Sequence, residues 1–519
     1  MEPRSLLLLF GTLLIEPIFP QTAPAIEWEM TAGGIAADRA DELDQTADGG
    51  YIIAGSSNSL DGDVTGNHGM QDGWVVKIAS NGSLEWQKSL GGSLNDFVLS
   101  VQETNDGGFI MAGGSGSSDG DVTLNQGFDD YWIVKTDISG ALQWQRTFGG
   151  TGMDNAHSIR QTSDGGYIVA GDSNSGDGDV SGNHGDLDVW VLKLDGAGNI
   201  EWQKALGGTH IDRGRSIEQT SDGGYILGGA SHSIDWDVTG NHGDQDLWVV
   251  KLDGTGNLQW QRSLGGSAYE GEYSVPVQQT DDGGYIVACG TMSNDGDVTG
   301  NHGENDCWVI KLDPSGSILW QHAMGGSDSD HATSIEQTDD GGYVMAGWTF
   351  SVDGDVSGHH GHRDVWVVKL DVSGALQWQK PLGGSNSDLE PWIQETPDHG
   401  FILTSATASY DGDVSFNHNP GFYDYWVVKL EGMSTSLGAE HIAPFTIAPN
   451  PNHGTATITS QRPMTGTVLT LRDALGREIL REPMLGQRVV LDLRDQPAGM
   501  YILTERSEQG SFSQRLVIE

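Results

Sequence analysis

Cysteine and positive charge are scarce in this sequence. Two cysteines in 519 residues exclude a disulfide-stapled scaffold and a cysteine-based zinc finger. Only 26 Lys and Arg oppose 73 Asp and Glu, a formal charge of −47. Phosphate backbones and anionic headgroups are repelled by such a field, so nucleic acid is not an expected partner, whereas divalent cations are attracted. Long apolar runs are missing too. The longest, Ser5 to Ile15, has eleven residues, short of the roughly 18 a transmembrane helix needs. With Arg4 before it and Ala23-Pro24-Ala25 after it, this run has the pattern of a signal peptide over residues 1–25, and Glu16, Pro17 and Pro20 argue against a buried helix. The expected mature chain is exported, without a transmembrane segment.

Glycine and tryptophan are abundant, with 76 Gly and 17 Trp, and they are periodic. One unit of 58 residues, sometimes 60, recurs seven times over 26–431. Its turn, DGGY or a close variant, starts at Asp48, Asp106, Asp164, Asp222, Asp282, Asp340 and Asp398. A WVVK-like strand starts at Trp74, Trp132, Trp190, Trp248, Trp308, Trp366 and Trp426, and a second tryptophan recurs at Trp28, Trp86, Trp144, Trp202, Trp260, Trp320 and Trp378. Only Trp236, Trp348 and Trp392 fall outside these two series.

Each unit reads as four short strands, two hairpins separated by a long polar loop. WVVKL is apolar at nearly consecutive positions, which suits a strand covered on both faces, as in blades packed between blades. The chain opens with the Trp28 strand alone and closes with Trp426 to Leu430, which lacks the strand that follows it in every other unit. The expected fold is all-β: a seven-bladed β-propeller over 26–431, closed by its N-terminal strand so that no open edge remains.

After a polar linker, 432–443, the composition changes. Residues 444–519 have no Trp and no Lys, and eight Arg balance eight Asp and Glu, so the acidic excess lies in the repeats. APNPNHGTATI, VLTLRDALGREIL, VVLDL and AGMYILTE alternate like strands of a small Ig-like β-sandwich. Pro449-Asn450-Pro451 with Gly454, Asp473 with Gly476, Gly499 with Tyr501, and the closing RLVIE come in an order that resembles the C-terminal sorting domain of the Bacteroidetes-type type IX secretion system. Arg515 stands where that family more often has Lys. The resemblance implies Sec export, handling by the type IX machinery through residues 444–519, and a final location at the cell surface or in the medium. The repeats look like the Gly- and Trp-rich arrays found ahead of such domains, which supplies an address rather than an activity.

The best candidate for chemistry is the long loop, DGDVTGNHGMQD at Asp61 to Asp72. Carboxylates at positions 1, 3 and 12, a hydroxyl at 5 and Gly at 6 form a pattern that wraps oxygens around Ca²⁺. Calcium, if bound, would be held by Asp61, Asp63, Thr65 and Asp72, and likewise by Asp177, Asp179, Ser181 and Asp188; by Asp235, Asp237, Thr239 and Asp246; by Asp295, Asp297, Thr299 and Asp306; and by Asp353, Asp355, Ser357 and Asp364. Leu124 and Phe416 replace the Gly in the other two copies. The competing account is that these side chains shape the loop by bonding to backbone. No cofactor is required by the sequence.

A histidine follows in six copies, from His68 to His418, and is expected to make local hydrogen bonds. The acids that follow each Gly-Gly, Asp38, Asp96, Asp154, Asp212, Glu270, Asp330 and Asp388, are symmetry-equivalent, whereas catalysis needs unlike carboxylates. Cys289 and Cys307 fall on strands expected to be adjacent, so they are a disulfide candidate or two buried thiols. The expected function is a non-enzymatic binding or scaffold propeller for extracellular glycans or proteins. The alternative is a polysaccharide hydrolase or lyase working in the central cleft, which non-repeated polar residues converging at one rim would favour.

Overall fold

The computed structural model describes residues 22–432 apart from 272 and, beyond them, 445–448, 454–460, 467–473, 478–484, 488–494, 496–497, 499–507 and 510–518. The apolar run Ser5 to Ile15, all but the first residue of the 432–443 linker, Pro449-Asn450-Pro451 and Gly476 lie outside the described residues. Among the described residues there is no helix long and apolar enough to cross a membrane. The chain divides into two units, Met1–Gly432 and Met433–Glu519.

The first unit is the seven-bladed all-β propeller the repeats call for. Blade 1 pairs the strands Asp38–Gln45, Tyr51–Ser57, Asp72–Ile78 and Leu84–Leu90 in that order, and each of the next five blades repeats the plan. The seventh sheet contains Asp388–Glu395, Phe401–Thr407 and Asp424–Leu430, and its fourth strand is Ile26–Ala32 from the start of the chain. That strand runs antiparallel to Asp424–Leu430, with Glu29 opposite Val428 and Thr31 opposite Trp426.

The motifs are explained by what they touch. The second and third strands of every blade are buried at every position, which is why both read as continuous apolar or small-residue runs. Apolar clusters span neighbouring blades; one joins Ile52, Ala54 and Val75 of blade 1 to Val98, Phe109 and Trp132 of blade 2. Trp74 is fully buried and its Nε1 donates to Gln87 Oε1 at 2.8 Å, which accounts for the Gln after the second tryptophan. In blade 7 the same donor, on Trp426, reaches Glu29 of the first strand at 3.1 Å. The second tryptophan packs on the aromatic residue of the next turn: Trp28 on Tyr51, Trp86 on Phe109, Trp144 on Tyr167, with ring centroids 6.2, 5.8 and 5.9 Å apart. Gly82, at φ 79°, lies against Trp28 so closely that a Cβ would sit 2.8 Å from the ring. The lysine of WVVK buries its stem, and Lys77 Nζ meets Asp48 Oδ2 of the turn at 3.1 Å.

Cys289 and Cys307 are free, buried thiols rather than a disulfide. Cys307 stands opposite Gly290, and Cys289 opposite Trp308. Strand alternation sends the two sulfurs to opposite faces of the sheet, one into the core shared with blade 4 and the other into the core shared with blade 6. Burial holds both thiols well above their ordinary pKa.

The second unit has one sheet of three strands, Phe445–Ala448, Thr455–Ser460 and Arg488–Asp492, and one of four, Glu478–Met484, Thr467–Asp473, Gly499–Ser507 and Gly510–Ile518. Ala456, Ile458 and Leu491 from the first and Leu469, Leu471 and Tyr501 from the second share an apolar cluster. The Tyr501 hydroxyl donates to Pro497 O at 2.8 Å.

Candidate functional site

Because each blade is an antiparallel meander, its turns sort to two ends. The Gly-Gly linkers, the long Asp-rich loops and the starts of the inner strands, the first of each blade (Asp38–Gln45 in blade 1), lie on one face, here the loop face. The DGGY turns lie on the other, the turn face.

On the loop face the repeated acids are committed to the frame. Asp38 is fully buried; it accepts from Ser57 Oγ, from Ser59 Oγ at 2.8 Å and from Gly34 N at 2.7 Å. The calcium candidates divide among separate partners. Asp61 Oδ1 accepts from Ile35 N at 2.9 Å, Asp63 Oδ2 from Gly33 N at 3.3 Å, and Thr65 Oγ1 from Gln87. Asp72 Oδ2 takes both His68 N and His68 Nδ1, at 2.8 and 2.7 Å. The pattern returns in the other four copies: Asp177, Asp235, Asp295 and Asp353 receive linker amides, as do Asp179, Asp237, Asp297 and Asp355. Ser181, Thr239, Thr299 and Ser357 receive the outer-strand glutamine, and Asp188, Asp246, Asp306 and Asp364 their loop histidine. The five loops therefore use these oxygens to fasten one blade to the linker before it and to their own outer strand. Among the described residues, only Asp339, Glu395 and His399 bring three potential metal-ligand atoms within 4.8 Å of one another.

The inner strands behave differently. They surround the axis, and residues from all seven line a cavity of about 320 Å³. The seventh residue of the inner strand, or its equivalent in blade 5, is Asp44, Gln102, Arg160, Glu218, Gln278, Glu336 and Gln394 in turn. Its usual task is to accept an N–H from the next inner strand, as Gln102 does from Gln161 at 2.7 Å, Gln278 from Gln337 at 2.7 Å and Asp44 from Glu103 at 2.9 Å. An amide suffices for that bond, so the acids add charge that the frame does not require. Arg160 Nη2 donates to Glu42 Oε1 at 2.6 Å, and the guanidinium lies 5.9 Å from the Trp392 ring centroid. Burial pushes Glu218 up to about 7 against the pull of Arg160. Burial, then the Glu395 and Glu218 charges, push Glu336 up to about 8.

Nearer the loop face, beyond the residues that line this cavity, the inner strands and their neighbours are also unrepeated. Asp41 is held well above the usual carboxylate range by burial and by the charge of Glu390. Glu390 is itself left-handed at φ 45°, a conformation that costs a non-glycine residue about 1–2 kcal/mol. Arg215 Nη1 contacts His157 Nε2 at 2.7 Å and Asp172 Oδ2 at 3.1 Å. Burial would raise Asp172, but Arg215 and His157 bring it below the ordinary value, while burial and Arg215 lower His157. In blade 5 two extra residues between Glu270 and Gln279 shorten the inner strand to Val277–Gln279 and leave Tyr273 53% exposed. Its ring sits 5.1 Å from His331 and 6.2 Å from Trp348, and Arg363 lies 4.6 Å over Trp348.

Of the three unshared tryptophans, Trp392 lines the channel, Trp348 belongs to this aromatic group, and Trp236 stands 68% exposed at φ 54° with its ring 4.6 Å from His184. Sequence reasoning singled out these unshared tryptophans and the two cysteines but missed the unlike charged residues of the inner strands. The signal was present in DELDQ, LSVQE, HSIRQ and RSIEQ, where the frame residues repeat and the charges change.

Residues 446–519 match the family described as the secretion system C-terminal sorting domain. The chain is therefore exported by the type IX system, to the cell surface or beyond it. A stretch of 255 residues is 28% identical to the regulatory protein FlaEY of Caulobacter vibrioides, covering 46% of this chain and 25% of that protein, so the chain spans a quarter of the relative it matches. A protein of unknown function from Dyadobacter fermentans is similar in structure at TM-score 0.43 and 10% identity, over 79% of this chain and 99% of that one. PorZ, a surface component of the type IX secretion system of Porphyromonas gingivalis, is similar at TM-score 0.26 and 11% identity, over 94% of this chain and 75% of that one.

Proposed function

We propose that this exported chain is a binding propeller that takes an extracellular glycan or protein at the loop-face mouth of its channel. The observation that carries this reading is the concentration of unlike charged and aromatic groups on the inner strands, on a molecule whose repeated loop-face acids hold blades to linkers and outer strands. A ligand needs directional, dissimilar contacts, and Asp41, Glu390, Arg213, whose guanidinium lies 3.8 Å from Asp172, Arg215 and Tyr273 supply them on the loop-face half of the inner-strand segments. Ile26–Ala32, by occupying the edge of the last sheet, serves in this reading to keep the ring closed and its mouth a fixed shape.

One observation favours a second reading, a glycan hydrolase. Asp41 is pushed toward its neutral form beside Glu390, an exposed carboxylate. Two neighbouring carboxyl groups in unlike surroundings are what glycoside cleavage uses. An array of extracellular polysaccharides, screened for retention and for released reducing ends, separates the two. Binding without product, weakened by Arg213→Ala, is the expected result. Product release that disappears in Glu390→Gln would overturn the binding-only reading in favour of the hydrolase.

A further inference from the structure

We propose that Asp339, Glu395 and His399 form a site for one divalent transition-metal ion of the Zn²⁺ type, on the turn face at the junction of blades 6 and 7. Three residues meet there as at no other blade junction: the histidine is unique to blade 7, while Glu at the strand end recurs only as Glu103 and Asp at the turn only as Asp281, each without the other two. The second residue of the turn is glycine in six blades, at φ 77–83° for Gly49, Gly107, Gly165, Gly223, Gly283 and Gly341. In blade 7 alone it is a histidine, His399, held in the same left-handed region at φ 59°. The last inner-strand residue is Gln in five blades, where an amide oxygen accepts an N–H from the preceding blade's turn, as Gln219 does from Ser163 and Gln279 from Ser221. At the blade 7 position it is Glu395, whose Oε2 accepts Asp339 N at 2.7 Å, leaving Oε1 for another partner. The preceding blade contributes an acid at that turn, Asp339, where blades 1 to 4 have Ala47, Asn105, Ser163 and Ser221.

The three side chains converge. His399 Nδ1 lies 3.2 Å from Glu395 Oε1 and 3.7 Å from Asp339 Oδ2, and all three ligand atoms fall within 4.8 Å of one another. Ligands bonded at 2.0–2.1 Å to a tetrahedral ion stand about 3.3 Å apart, so these separations bracket what such an ion requires. Glu395 is oriented by its backbone bond and only 13% exposed, whereas Asp339 and His399 are 77% and 48% exposed, so the outer side is open to water or to a ligand atom from a partner. One imidazole with two carboxylates suits Zn²⁺ or Mn²⁺ and not Ca²⁺, which prefers oxygen alone. The placement differs from the loop histidines, each of which spends Nδ1 on its own buried aspartate.

His399→Gly provides a clean test, because glycine fills the same position in six other turns and removes the left-handed strain, so the variant folds. Isothermal titration of the full chain with ZnCl₂, and separately with CoCl₂ followed by visible absorption, is run beside it. The wild type is expected to take up one more equivalent than His399→Gly, with a cobalt band that the variant lacks. Glu395→Gln, which keeps the bond to Asp339 N, is expected to weaken that equivalent about ten-fold or more. Equal stoichiometry and equal spectra in wild type and His399→Gly would show that the three residues are an ion pair without a metal, and would overturn the proposal.

Discussion

The outer three strands keep the same lengths and the same main contacts from blade to blade, whereas the inner strands differ at the residues that line the axis. The difference follows from what each side chain meets. Trp74, Lys77 and Trp86 each touch a neighbour that is itself a copy, so the Lys77–Asp48 pair and the Trp86–Phe109 contact recur in all seven blades and the Trp74–Gln87 bond in five. A side chain on the axis meets its six counterparts. Seven identical acids at the position of Glu42 or Glu336 would crowd seven like charges into one cavity of about 320 Å³, which neither burial nor repulsion tolerates. Acids in the lining therefore have to be interspersed with neutral or cationic residues, as Gln102, Arg160, Gln278 and Gln394 are, and that variety is what makes the lining available for a ligand.

The largest effect that separates frame from lining should come from removing residues 26–32. Without them the Asp424–Leu430 strand has a bare edge and Trp426 loses its Glu29 partner. The expected result is loss of a single cooperative melting transition and of the monomer peak in size-exclusion chromatography, since an exposed apolar edge pairs with other chains. An unchanged melt would mean that the ring closes without this strand.

A change in the lining should act in the opposite direction. Burial, and then the Glu395 and Glu218 charges, push Glu336 up to about 8 from the ordinary 4.5. Its stabilising protonated form is fully present below about pH 4.5 and is lost as pH rises through 8. Asp38, Asp130, Asp188 and Asp330, at about 6, and Asp388, at about 7, are raised by burial and have the same sign. Melting temperature should accordingly fall between pH 5 and pH 8.5. Glu336→Gln, which can still accept the N–H that Gln102 and Gln278 accept at their own positions, should gain on the order of 1 kcal/mol at pH 8.5 and nothing at pH 5. A wild-type melting temperature that does not change with pH would remove the basis for this expectation.

The smallest effect belongs to the loops. Asp61, Asp63, Thr65 and Asp72 are distributed over four partners, so millimolar calcium is expected to shift the melting midpoint by no more than about 1 °C. A shift of several degrees would mean that the loops rearrange to gather these oxygens around the ion.

Much of the frame was legible because its signals are local and repeated. The buried third strand announced itself in WVVKL, and seven spacings gave seven blades. The candidate site was far less legible, because its members come from seven inner strands spread over more than 350 residues and share no motif. Cys289 and Cys307 show the same limit at short range: their strands are adjacent, yet the register places the sulfurs on opposite faces.

Sequence alone determined the repeat, its strand content, the acidic charge and the C-terminal address, since each depends on residues near one another in the chain or on composition. Tertiary structure decided which acids hold blades together, which remain unlike at the axis, and which single turn places an imidazole beside two carboxylates. Closing the ring sets the distances between blades, and those distances fix whether a carboxylate meets an amide, a cation or another carboxylate.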